Sequence, residues 1–215
     1  MGSWRIHGGA RSVGDAMPRI ESDFTKRLRE AREANNHIAV RARQEIRDGS
    51  TIFIDHSTSC LALAQELERN PRDHLTVTTN SPAIAFELHA SSIHLIVTPG
   101  EVDQTIRMIS GNWTEDFLSH LNFDIAFVSA AWLTQERGLT TLGHSLSGTL
   151  NAARAVSQRT IALIDSSKMG RDSLLTVFGP REVEIIVDGI ASNVLEQFRR
   201  ARMTVIVAEP SAPLS

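Results

Sequence analysis

The stretch Gly49 to Cys60, Gly-Ser-Thr-Ile-Phe-Ile-Asp-His-Ser-Thr-Ser-Cys, constrains the fold more than any other part of the chain. Thr51 to Ile54 are β-branched or aromatic, which suits a strand buried on both faces of a parallel sheet. Asp55 ends that run. His56, Ser57, Thr58 and Ser59 are small or polar and make a turn, and Cys60 to Leu67 follow with helical spacing. Strand, polar turn, helix is the unit in which unpaired N–H groups at a helix start face a ligand's anion. An ordinary βα loop with Ser or Thr capping the next helix carries the same residues. This stretch alone leaves both readings open.

The pattern repeats along the chain. Leu75–Thr79 reads as a second strand, closed by Thr79-Asn80-Ser81, with Pro82 at a favoured first helical position. Ile93–Val97 is a third, leaving through Thr98-Pro99-Gly100-Glu101. Asp124–Val128, Thr160–Ile164, Val183–Val187 and Thr204–Val207 complete the strands, and the fifth ends at Asp165-Ser166-Ser167-Lys168. Helices are expected over Ile20–Arg47 (Phe24, Leu28, Ile38, Ala42 and Ile46 on one stripe, stopped by Asp48-Gly49), after Pro82, from Gly111, over Leu150–Gln158 and over Val194–Ala201. Gln104–Ile109 reads as a short extended piece, Ser129–Ser147 as a long polar loop containing Trp132, and Trp4–Pro18 as an irregular arm. Strands alternating with helices at this spacing predict an α/β fold, a mostly parallel sheet with right-handed crossovers.

The bulk numbers fit one such unit. At 215 residues and 41% hydrophobic, the chain can bury a core, and a net charge of −3 excludes a nucleic-acid footprint spread over the whole surface. A single cysteine, Cys60, forbids an intramolecular disulfide and fits a reducing compartment. No apolar run approaches the ~18 residues of a membrane span, and no signal-peptide core stands at the N-terminus. A soluble, cytoplasmic protein with no membrane partner is the expectation.

In an open parallel sheet, ligands sit beyond the carboxyl ends of the strands. Sorting the strand exits by that rule gathers Asp55, His56, Ser57, Thr58 and Ser59; Thr79, Asn80 and Ser81; Thr98, Gly100 and Glu101; and Asp165, Ser167 and Lys168. Such a rim offers hydroxyl and amide donors for sugar oxygens and a lysine point charge for phosphate. Strand ends are also polar simply because loops face water, but four convergent turns favour a ligand.

These blocks, in this order, resemble the effector-sensing half of DeoR/GlpR-type bacterial transcription regulators. The matching pieces are Trp4-Arg-Ile-His-Gly-Gly-Ala10, Asp48 to Asp55 with its Ser/Thr turn, Thr79-Asn80-Ser81, Pro99-Gly100 and Asp165-Ser-Ser-Lys-Met-Gly170. The resemblance implies a Rossmann-type, sugar-isomerase-like fold related to ribose-5-phosphate isomerase and CoA-transferases, with no catalysis retained. It implies a repressor of a sugar-metabolism operon, an N-terminal winged helix-turn-helix for operator DNA, a phosphorylated sugar as inducer, and a homodimer or homotetramer. The Trp4–Ala10-like segment follows the DNA-binding domain in that family. Residues 1–19 are therefore expected to be a linker arm after a DNA-binding domain absent from this chain, 20–209 the sensing and oligomerisation domain, and 210–215 a frayed tail. No cofactor is implied. On this reading Ser57, Thr58, Ser59 and nearby amides surround the phosphate, Lys168 supplies charge, and Asp55, Asn80 and Glu101 hold sugar hydroxyls, with His56, Thr79, Ser81 and Gly100 beside them.

Two departures stand out. The family turn runs Asp-Ser-Gly-Thr-Thr, where this chain has Asp55-His56-Ser57-Thr58-Ser59; losing the glycine restricts how closely backbone can approach a phosphate. The family carries a Glu and a Lys-Arg pair on the helix before the fifth strand, where this chain has Ser147-Gly148-Thr149-Leu150-Asn151.

Other features weigh less. Gly143-His144-Ser145-Leu146-Ser147-Gly148 only loosely resembles a nucleophile elbow, having its final glycine one place late and no strand before it; a flexible loop or lid is the expectation. The eight histidines show no zinc spacing. Cys60 reads as a buried helix residue. Trp132 and His144 read equally as pocket mouth or subunit contact. An active sugar-phosphate isomerase on the same scaffold is the alternative, with Glu101 or Asp124 as general base.

Overall fold

A computed structural model describes residues 29–89 and 91–208. The arm over residues 1–19, the first part of the expected N-terminal helix and the tail over 210–215 lie outside these residues. Helix α1 (Arg32–Arg43) lies along α2 (Thr58–Arg69). Ile38 and Ala42, and Ile46 just beyond the helix end, are buried as their spacing requires. The chain then runs through β1 (Thr51–Ile54), α2, β2 (Thr76–Thr79), α3 (Pro82–Glu87) and β3 (His94–Val97). Next come β4 (Glu101–Asp103), β5 (Met108–Ser110), α4 (Asn112–Ser119), β6 (Phe123–Val128), β7 (Trp132–Thr134), β8 (Gly138–Thr141) and α5 (His144–Ala155). It ends with β9 (Ser157–Ile164), a 3-10 turn at Ser166–Lys168, β10 (Leu175–Phe178), β11 (Glu184–Val187), α6 (Ser192–Arg200) and β12 (Thr204–Val207).

Seven strands form one sheet in the order β12-β11-β9-β6-β1-β2-β3, every neighbouring pair parallel. From β1 the chain winds outward through β2 and β3, then returns to the other side of β1 as β6 and winds outward again. The order reverses between β1 and β6, which is where ligands dock in open α/β sheets.

The alternation within β1 explains the two-sided core. Ile52 and Ile54 face α1 and α2, joining Ile38, Leu63, Leu67 and Val77. Phe53 faces the other layer, with Phe123 at the start of β6 and Leu118, Leu150 and Phe198 from the opposite helices. Phe53 and Phe123 are tilted against each other at 5.8 Å between ring centroids.

Between Ser129 and Ser147 the structure departs from the expected loop. Trp132–Thr134 and Gly138–Thr141 pair as a hairpin, and β10 joins it in a three-stranded antiparallel sheet ordered β10-β8-β7. Gly138 makes the turn possible at φ 71°; a Cβ there would meet the Phe178 carbonyl oxygen and stand 2.8 Å from the Gly179 carbonyl carbon. The segment Gly143 to Gly148 is the first turn of α5 and not a flexible loop, with the Ser147 amide donating to the Gly143 carbonyl at 3.2 Å. The extended piece expected at Gln104–Ile109 is the second arm of the β4–β5 hairpin, displaced to Met108–Ser110. Helix α1 stops at Arg43, short of the expected Arg47.

Candidate functional site

Asp55 leaves β1 at the reversal point and is fully buried. One carboxylate oxygen accepts the Ser57 amide at 2.8 Å, the other the Ser129 amide at 2.7 Å. The side chain thus ties the exit of β1 to the exit of β6. Its first bond also shapes the start of α2. Ser57 is the N-cap; its Oγ accepts the Cys60 amide at 3.2 Å and its carbonyl accepts the Leu61 amide at 2.8 Å. Of the donors a helix start leaves unpaired, the amides of Thr58 and Ser59 remain beyond these caps.

The exit of β9 faces that helix start. Lys168 donates from Nζ to Ser129 Oγ at 3.1 Å and pairs with Asp165 at 3.3 Å. Ser129 Oγ in turn donates to the Leu163 carbonyl at 2.8 Å. Ser167 donates to Asp165, and Ser166 is held by Asp188 through its amide at 2.6 Å. Asp55, Ser129, Lys168 and Asp165 therefore form one connected polar floor across β1, β6 and β9.

Above this floor opens a cleft of about 640 Å³. One wall is Glu30 and Ala31, just before α1, with Ala34 in its first turn, and Thr58 contributes from α2. The far wall combines Ala131 and Trp132 at the start of β7 with Asp165 to Lys168 and Arg171. The Arg171 guanidinium carbon lies 5.1 Å from the centroid of the Trp132 indole, within cation–π range.

Eleven residues were expected at the site. Thr58 and Lys168 line the cleft, with Asp55 and the Ser57 cap directly linked to the same floor. His56 is buried, at 6% exposure. Ser59 is turned the other way: fully buried, it donates its hydroxyl to Asn35 Oδ1 on α1 at 2.8 Å. Thr79 donates to the Ile54 carbonyl at 2.7 Å and accepts the Ser81 amide at 3.1 Å. Asn80 exchanges hydrogen bonds with the backbone of Ile109, and Ser81 caps α3. Gly100 and Glu101 border a separate hollow of about 360 Å³ with Asn112 and Trp113. The strand exits do share one edge, but the floor of the cleft is built from the exits of β1, β6 and β9, not from those of β2 and β3.

Trp132 does line the cleft mouth, whereas His144 heads α5 and is exposed. Asp124 stands near the opposite, amino-terminal edge of the sheet, where it accepts the Thr51 amide at 2.8 Å. Burial, and after it the charge of Asp55, pushes the Cys60 thiol well above its ordinary range, so it is no thiolate nucleophile. Among the described residues no group of three His, Cys, Asp or Glu side chains is placed to hold a metal. No helix of these residues is long and apolar enough to cross a membrane.

A family model for the DeoR C terminal sensor domain matches residues 30–189. The chain belongs to the DeoR family. It is a DeoR-type repressor sensor domain, and the match spans the floor, the cleft and all but one strand of the main sheet. The HTH-type transcriptional regulator GlpR of Haloferax volcanii is 28% identical over 205 residues, covering 94% of this chain and 78% of that protein. The putative aga operon transcriptional repressor of Escherichia coli O157:H7 is 25% identical, covering 94% of this chain and 76% of that one. The lactose phosphotransferase system repressor of Staphylococcus epidermidis is 29% identical over 186 residues, covering 85% and 72%. Among solved structures, a chain of the tetrameric eIF2B-beta2-delta2 complex from C. thermophilum shares the fold at TM-score 0.50 and 18% identity, covering 67% of this chain and 46% of that chain. Ribose 5-phosphate isomerase A of Methanocaldococcus jannaschii aligns at TM-score 0.49 and 16% identity, covering 65% and 55%.

Proposed function

We propose that this DeoR sensor domain binds a phosphorylated sugar in the cleft at the β1/β6 reversal and that occupancy controls operator binding by a DNA-reading domain joined before α1. The observation that carries the reading is the meeting of the α2 start, with the Thr58 and Ser59 amides still beyond its caps, and the ammonium of Lys168 at one concave floor. A helix N-terminus favours an anion through its N–H groups and its partial positive charge. Thr58, Ser166 and Ser167 line the same space, and hydroxyl side chains suit sugar oxygens. Relatives named for glycerol-3-phosphate and for a lactose phosphotransferase system support a phosphorylated effector.

The beginning of α1 is a wall of this cleft. A ligand seated there acts on the element that leads toward the N-terminal residues, and it shifts their arrangement only by its differential affinity for two states. Assembly into a homodimer or homotetramer belongs to the same reading, as does action as a regulator without turnover. The isomerase alternative requires a carboxylate base within reach of the substrate. Asp124 is near the wrong edge and Glu101 borders the separate hollow, so neither serves the cleft.

Calorimetric titration with phosphorylated pentoses and hexoses, repeated on Lys168→Ala, tests the proposal. One or more sugar phosphates bind, none is turned over, and the substitution weakens binding by about tenfold or more, as loss of a charge-assisted hydrogen bond entails. Absence of any sugar-phosphate binding, or unchanged affinity in the variant, refutes it.

A further inference from the structure

The cation expected to hold the ligand's charge was Lys168, yet its ammonium is matched by Asp165 at 3.3 Å, and both side chains are nearly buried. That pair brings donors to the floor but no net positive charge. Arg171 is different. It lines the cleft, and among the described residues it makes no ion pair, its only partner being the Trp132 ring.

Several contacts hold it there. After β9 the chain turns back along β7: Met169 bridges to Leu133, and the Gly170 amide donates to the Leu133 carbonyl at 2.9 Å. Gly170 adopts φ 78°, a left-handed conformation that a side chain disfavours. Immediately beyond, Asp172 pairs with Arg137 from the β7–β8 turn at 2.9 Å. The loop is thus pinned on both sides of Arg171, and its guanidinium lies on the indole of the residue preceding Leu133.

We propose that Arg171 is the anion receptor of the cleft, with Trp132 as its positioning residue. A guanidinium stacked on an aromatic face keeps its N–H edge free for the bidentate geometry that fits a phosphate or carboxylate. Stacking also lowers the number of rotamers lost on binding. The ligand class this implies is a small molecule with a terminal phosphate, its anionic end toward Arg171 and its hydroxyls toward Thr58, Ser166 and Ser167. Lys168 keeps the role of a charge-assisted donor to the ligand at the floor, its own charge matched by Asp165. The inference rests on the ligand reading above, and it assigns the charge recognition to a different residue.

The test uses the whole 215-residue protein. Inorganic phosphate and the panel of phosphorylated pentoses and hexoses are titrated into the wild type, Arg171→Gln, Arg171→Lys, Trp132→Leu, Trp132→Phe and the Arg171→Gln/Trp132→Leu pair. Arg171 is exposed, so Arg171→Gln folds as the wild type does, and a melting curve verifies this. The expected result is a loss of about tenfold or more in Arg171→Gln with a flatter salt dependence, and partial retention in Arg171→Lys. Trp132→Phe keeps most of the affinity, Trp132→Leu loses it, and adding Trp132→Leu to Arg171→Gln costs nothing further, because the ring acts only through the guanidinium. Anion binding that stays within about threefold of wild type in Arg171→Gln overturns the inference while leaving the sugar-phosphate reading intact. Inorganic phosphate held through Arg171 with no sugar phosphate bound supports the inference and overturns that reading. No binding of either probe overturns both.

Discussion

Replacing Asp55 with Asn tests the clamp on which the cleft is built. The carboxylate is fully buried and accepts two backbone amides, at 2.8 Å from Ser57 and 2.7 Å from Ser129. An amide of the same shape has a single oxygen. Either the Ser57 or the Ser129 N–H therefore loses its acceptor and meets an NH₂ group. Losing a hydrogen bond to a charged acceptor costs about 1.5–3 kcal/mol, and stranding a buried donor about 1–3 kcal/mol more. Removing a buried charge offsets part of this, leaving a net destabilisation of about 2–4 kcal/mol. For a chain of this length, each kcal/mol lowers Tm by about 2–4 °C, so a fall of about 4–16 °C is expected in thermal unfolding followed by circular dichroism. Asp55→Ala strands both donors and falls further. An Asp55→Asn variant melting within about 2 °C of wild type shows that the carboxylate is not what joins the two strand exits.

Other substitutions probe separate parts of the account. Gly100→Ala places a Cβ 2.7 Å from the Ser110 carbonyl oxygen and against the Thr114 hydroxyl, at φ +148°. A loss of about 1–3 kcal/mol is expected in denaturant melts, with affinity at the main cleft unchanged. Phe53→Ala opens a cavity between β1 and the layer of α4 and α5 and costs about 3–5 kcal/mol in the same assay. Arg159 bridges Glu45 and Glu184 at 2.8 Å each. Burial pushes the Glu45 carboxyl up, but hydrogen bonds and charge from Arg159 and Arg41 outweigh it, and the net direction is down. A depressed carboxyl stabilises the fold above its unfolded value of about 4.3 and loses that contribution as pH falls through the folded value. Arg159→Gln therefore unfolds less steeply with acid than wild type, measured by urea midpoints across the acid limb.

The main sheet was legible because each strand announces its own end. Thr-Ile-Phe-Ile before Asp55 and Thr-Ile-Ala-Leu-Ile before Asp165 are apolar runs closed by an acid, and both faces of such strands are covered. The hairpin of β7 and β8 carries no such signal. Trp132–Thr134 and Gly138–Thr141 are three and four residues long, and the pairing of β8 with β10 spans a large sequence separation. Pattern along the chain also cannot say which way a hydroxyl turns. Ser57 and Ser59 look equivalent in the turn, yet Ser57 caps α2 while Ser59 is drawn to Asn35, a partner 24 residues away. Likewise, Thr79, Asn80 and Ser81 read as ligand groups because they are polar. In the structure they hold β1, β5 and α3 in place. Arg171 went unmarked because its place depends on the positive φ of Gly170 and on contacts with Leu133, neither visible as spacing.

Amide shift mapping by TROSY NMR, with the tightest-binding sugar phosphate titrated into the isotopically labelled protein, tests the location of the site most directly. The account predicts that the largest shifts fall on the Thr58 and Ser59 amides, on Ser166 to Lys168 and on the Arg171 guanidinium, with Gly100 to Trp113 nearly still. Shifts centred on Gly100, Glu101 and Trp113, with the start of α2 unmoved, contradict it.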